Sequence, residues 1–231
     1  MRIRSFIIAY ALVLAIVLFA DRRPNPAQQD RYSHIVDLTD AKNAGQNEAA
    51  ASRTRIIAPD ALIPGTWTAG QIPPERLIAP LVVMDLNVAP PAQISLDDIA
   101  AWETRHGAVP QGAVVAIRQL AGMPHPSSAW VGSTTVPAPS ASAFPITDQA
   151  AQFLMDARYT TGFAIGESSD LQSDRVLARQ IALHGNYVVE GTSHLTGIPA
   201  TGSLIIVAPA PNVPAKNKLR DAPVRVLAMV R

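Results

Sequence analysis

The chain has 231 residues, 48% of them apolar and 16% charged, with a mean hydropathy of +0.15; this excludes disorder over most of its length and leaves enough apolar surface for a full core. Nineteen Lys and Arg against 18 Asp and Glu give a net charge of +1, and with no long basic cluster there is no field to draw a nucleic acid. The absence of cysteine removes disulfides, thiolate nucleophiles, zinc–thiolate sites and iron–sulfur clusters, and suits an oxidising or a reducing compartment.

The first element predicted is an N-terminal hydrophobic helix. Arg2 and Arg4 precede 16 uncharged, mostly aliphatic residues, Ser5 to Ala20, and Asp21, Arg22 and Arg23 follow them. At ~1.5 Å rise per residue the run makes ~24 Å of helix, and arginines at both ends lengthen it by snorkelling. A cleaved signal peptide needs a small residue at the −3 position, where Leu18 stands. Residues 1–23 are therefore expected to be an uncleaved transmembrane signal anchor. The arginines before the run place the N-terminus inside and the large domain on the periplasmic, extracytoplasmic side of the inner membrane.

Residues 24–53 read as a polar tether with an early strand over Ile35–Thr39, and residues 54–231 as the folded domain. Leu77–Leu86 is a buried strand by its continuous apolar run. Ser95 caps a helix containing Ile99 and Trp102, with Asp98 completing a capping box, and Gly107 ends it. Strands are expected at Gly112–Arg118, Gly162–Gly166, Tyr187–Glu190, Gly202–Ala208 and Val224–Val230, and helices at Thr147–Asp156 and Asp174–Leu183. Between them, Gly122–Phe144 is rich in Pro, Ser and Ala and reads as a long loop that presents Trp130 and Val131. The order is mixed α/β, with too many strands for a regular doubly wound sheet.

None of the five histidines lies at metal-ligand spacing from another, and His106, at a helix end, is expected to cap it. Gly166-Glu167-Ser168-Ser169 falls short of a nucleophile elbow, so a serine hydrolase is not supported.

Several blocks together resemble the cyclase family, which includes the bacterial kynurenine formamidases and isatin hydrolases. They are Ile35–Thr39, Ile63-Pro64-Gly65-Thr66-Trp67, Gln71–Asp85, Ile99–Arg118, Ile198–Gly202 and Ala222–Ala228. The resemblance covers roughly 33–231 and implies a swivelling β/β/α domain, here preceded by the hydrophobic helix.

It also implies a divalent metal held by a pattern H-x-G-T-H-x-D-x-P-x-H, and there this chain departs. With Thr54 and Pro59 setting the register, the first histidine falls on Ala51, the second on Arg55, the aspartate on Ile57 and the last histidine on Ala61; a further histidine and glutamate fall on Ala178 and Glu190. Only Glu190 keeps a ligand's chemistry, and one carboxylate does not hold a divalent ion. The expectation is a fold without metal, cofactor or catalysis, in which Glu190 pairs with Arg55 or Arg179. The function this implies is an accessory or structural subunit of a membrane protein complex, for example a respiratory or photosynthetic assembly, with other membrane proteins as partners and the bilayer reached through residues 5–20. Two alternatives stand beside it: an extracytoplasmic small-molecule binding protein, and a metal-dependent amidohydrolase with relocated ligands.

Overall fold

The computed structural model describes residues 32–40, 54–86, 93–119, 144–166, 171, 175–209 and 221–231. The expected anchor, most of the tether, the 122–143 part of the loop, Ala51 and Ser168–Asp170 lie outside the described residues. Among the described residues no helix is long and apolar enough to cross a membrane.

Among the described residues eight strands form one sheet: β1 (His34–Asp37), β2 (Arg55–Ile57), β3 (Ile78–Leu86), β4 (Val114–Gln119), β5 (Gly162–Ile165), β6 (Tyr187–Glu190), β7 (Ser203–Pro209) and β8 (Asp221–Val230). Their order is β1-β8-β2-β6-β5-β4-β3-β7, and β7 pairs again with β8. Seven strands thus close into a barrel-like ring, and β1 joins β8 outside it as an edge strand. Strands β3 to β6 run parallel, while β2, β7 and β8 join antiparallel. The length of β8 permits the closure. One edge pairs with β7; the other is shared, with β2 on Asp221–Pro223 and β1 on Leu227–Val230. The early strand foreseen at Ile35–Thr39 is therefore part of the domain's sheet, and Thr39 adds an isolated bridge to Thr192.

Among the described residues five α-helices accompany the sheet: α1 (Pro59–Leu62), α2 (Pro74–Leu77), α3 (Leu96–His106), α4 (Asp148–Arg158) and α5 (Arg175–Leu183). Helix α3 begins as its sequence dictates, with the Ser95 side chain accepting from the Asp98 N–H and Asp98 accepting from the Ser95 N–H. Gly107 closes it at φ 87°. His106 is not the cap; its ring lies 4.9 Å from that of Trp102. Thr147 caps α4.

Alternation along the strands divides the core in two. Ile56, Leu81, Val83, Val114, Ala116, Ala164, Tyr187, Val189, Ile205, Val207, Val224, Val226 and Ala228 fill the ring. Ile57, Val82, Met84, Val115, Ile117, Phe163, Ile165 and Val188 face outward, under Ile99 and Trp102 of α3, Leu154 and Met155 of α4 and Leu177 and Ile181 of α5. Two glycines are required by this packing. A Cβ on Gly162 would stand 2.7 Å from the Tyr187 carbonyl oxygen, and one on Gly185, at φ +65°, would stand 2.9 Å from the Trp67 ring.

Candidate functional site

The residues that resemblance places around a metal are carried by β2, α1, α5 and β6. Strands β2 and β6 are antiparallel neighbours in a register that sets Arg55 opposite Glu190 and Ile57 opposite Val188. Ile56 and Val189 turn into the ring, so Arg55, Ile57, Val188 and Glu190 share the opposite face, toward the helices. Helix α1 packs on α5, and Ile57 and Ala178 belong to one apolar cluster against which Ala61 packs. The structure thus gathers Arg55, Ile57, Ala61, Ala178 and Glu190 in one place; Ala51 lies outside the described residues.

What stands there is hydrocarbon and one ion pair. Ile57 is 5% exposed and Ala178 6%. Arg55 Nε lies 3.9 Å from Glu190 Oε2, with the Glu190 side chain 4% exposed and that of Arg55 43%. A carboxylate so far out of water is costly unless a cation or hydrogen-bond donors face it. The half-exposed guanidinium is such a cation, with its outer part left in water. Arg179, the alternative partner, lies on the exposed side of α5.

The neighbouring backbone is pinned by residues whose role carries no functional signature in sequence. Thr54, fully buried, donates from its hydroxyl to the Gly191 carbonyl at 2.6 Å and accepts from the Asp40 N–H at 2.7 Å, tying the entry of β2 to the exit of β6. Arg76 donates to the Gly185 carbonyl at 3.1 Å and to Asn186 Oδ1 at 2.9 Å, with its guanidinium carbon 5.6 Å from the centre of the Trp67 ring. Burial lowers its pKa from the ordinary arginine value. Tyr187 donates to the Arg76 carbonyl at 2.9 Å, and burial raises its phenol well above the usual range.

At the ends of the parallel strands, where α/β sheets commonly bind ligands, Arg118 closes the space. It forms a two-pronged pair with Asp85 at 2.6 and 3.0 Å and donates to the Leu195 and Ile198 carbonyls, each at 3.1 Å. This is a structural clasp.

The donor set does not suit a divalent cation. Zinc or manganese calls for imidazole and carboxylate groups converging on one point, whereas the gathered positions offer one carboxylate, one permanent cation and three hydrocarbon side chains. Among the described residues no three His, Asp or Glu side chains are grouped to hold a metal ion.

Comparison with known proteins places this arrangement in a family. The Cyclase family model matches residues 28–167, more than half of the chain, and the protein belongs to that family. The match includes Ala51, Arg55, Ile57 and Ala61 and stops before Ala178 and Glu190. Isatin hydrolase A from Ralstonia solanacearum has the same fold at a TM-score of 0.61 and 22% identity, over 90% of this chain and 86% of its own. Isatin hydrolase A from Labrenzia aggregata, bound to benzyl benzoate, gives 0.58 and 22% over 90% and 87%. An isatin hydrolase bound to the product analogue thioisatinate gives 0.57 and 18% over 100% and 99%. At such identities these likenesses establish the fold alone. No curated protein matches the sequence.

Proposed function

We propose that this chain is a catalytically inactive, membrane-anchored member of the Cyclase family that serves as an accessory or structural subunit of a membrane protein complex, such as a respiratory or photosynthetic assembly. The observation that carries the inactive reading is the Arg55 guanidinium set against the buried Glu190 carboxylate, with Ile57, Ala61 and Ala178 packed beside them. A fixed positive charge stands where the family resemblance puts a divalent ion, so the site has exchanged metal binding for internal packing. What supports the anchored reading is the 16-residue apolar run Ser5–Ala20 between arginine-bearing flanks. Its alanines at positions 11, 15 and 20 permit close helix contact within a bilayer, and a tether joining helix and domain raises the effective concentration of each contact for the same partner.

The test is solubilisation of native membranes in mild detergent, followed by a native gel probed for this chain. Comigration with a larger assembly, lost when residues 1–23 are replaced by a cleavable export signal, is the expected result. Migration of the intact protein as a free monomer or self-oligomer contradicts the subunit reading.

A further inference from the structure

Over β1, β7 and β8 the sheet is apolar inside the ring and along two rows of its outer face, and those outer rows are open to solvent. Register places Ile35, Met229, Leu204 and Pro80 in one cross-strand row, and Asp37, Leu227, Ile206 and Ile78 in a parallel row two residues along. The row between them, Val36, Ala228, Ile205 and Ala79, turns into the ring. The first two rows therefore face outward. Ile35 and Ile78 are 63% and 55% exposed, and Pro80, Leu204, Ile206, Leu227 and Met229 are partly exposed. Among the described residues the helix-covered cluster takes side chains from β2 to β6 and none from β1, β7 or β8. Strands that are apolar on both faces are a mark of sheets covered on both, and a contiguous bare apolar patch marks an interaction surface.

We infer that this outward face of β1, β8, β7 and the start of β3 is where the domain docks on an apolar extracytoplasmic surface of the neighbouring membrane protein, an inference that rests on the anchored-subunit reading. Two features select that occupant. The first is reach: β1, the edge strand of the face, begins 11 residues after Arg23, where the apolar run's flank ends. At most ~3.6 Å per residue, this holds the face within ~40 Å of the bilayer surface, level with the extracytoplasmic parts of a membrane neighbour. The second is charge. The charged side chains in these rows and those flanking them are Asp37 and Arg225, paired at 3.1 Å, and Arg231 at the margin beside Gly202, whereas an anionic lipid surface is sought by a cluster of Lys and Arg. An apolar face whose central charges are paired, with one arginine at its margin, suits a protein surface of the same kind, apolar at its core and polar at its rim.

The experiment uses the full-length chain in its native membranes, with a photo-crosslinking residue placed at Ile78, at Leu204 or, as a control, at Val176, which is exposed on α5. The expected result is the same membrane protein captured from Ile78 and Leu204 and not from Val176, at a yield at least ~10-fold above the control. In parallel, Ile78→Asp/Leu204→Asp is expected to leave the chain in the membrane fraction but release it from the assembly on a native gel. Crosslinks to a second copy of this chain, to lipid, or equally from Val176 overturn the docking assignment. So does an assembly that survives the double substitution, which leaves the subunit reading standing. If the unsubstituted chain shows no assembly at all, it is the subunit reading that has failed.

Discussion

The two outer walls of the ring are equally apolar and differently finished. Over β2 to β6, apart from the start of β3, three helices lie on the sheet and the outward apolar side chains are sealed; over β7, β8, β1 and the start of β3 the outward rows carry Ile35 and Ile78, each more than half exposed. The difference teaches that hydrophobicity in this molecule has two settings: under the helices it is packed away around the Arg55–Glu190 pair, and on the bare wall it remains open to solvent.

Side-chain truncation separates the walls most strongly. Leu154→Ala, which removes a fully buried side chain from α4, is expected to cost ~3–5 kcal/mol in urea unfolding. Ile78→Ala on the bare wall should cost less than about 1 kcal/mol in the isolated domain, since little of its surface is withdrawn from water. Equal losses would mean that the bare wall is covered from within. The interior of the ring should also resist added volume. For Gly162→Ala a loss of ~1–3 kcal/mol is expected, because the new methyl meets a carbonyl oxygen rather than a flexible side chain.

How far this division was legible beforehand depended on local signal. Strands β3, β4 and β6 are unbroken apolar runs, and Ser95 with Asp98 announces α3. Strand β2 has only three residues and starts with Arg55, and α1 and α2 are single turns opened by prolines; none carries a periodicity long enough to read. Closure of the ring through β7 and β8 is a long-range pairing with no local mark. At the site, Ala61 and Ala178 have no chemistry to notice, and it was resemblance that pointed to them. Thr54 stood out only as a register mark and Arg76 not as a clasp, because buried clasps use residue types that most often face solvent.

The ion pair at the candidate site offers a sharper contrast. Arg55→Ala leaves the Glu190 carboxylate buried without its guanidinium and is expected to cost ~1–3 kcal/mol, discounted from a fully buried pair because Arg55 is half exposed. Adding Glu190→Gln should recover part of that loss, and a double-mutant cycle by thermal unfolding measures the coupling. If the second change deepens the loss additively, Glu190 is held by other groups.

The smallest effect expected is a pH dependence at the α3–α4 junction of the sealed wall. Glu103 accepts two hydrogen bonds from Arg158, at 2.7 and 2.8 Å, and one from the Val109 N–H. The Arg158 hydrogen bonds hold its carboxyl below the ordinary glutamate value of 4.5. A depressed folded value stabilises above the unfolded one, so this contribution is present at neutral pH and lost as the pH falls below about 4.5 through the folded value. Glu103→Gln should lower the melting temperature at pH 7 and flatten the curve on the acid side. An unchanged acid limb would show that the pair contributes nothing there.

The account stands or falls on the exchange of a metal for the Arg55–Glu190 pair, and elemental analysis of the full-length protein, purified without chelator, tests it most directly. Zinc and manganese far below one ion per chain is the result predicted, with no rise in melting temperature when either metal is added. About one ion per chain, lost on Glu190→Ala, would contradict it.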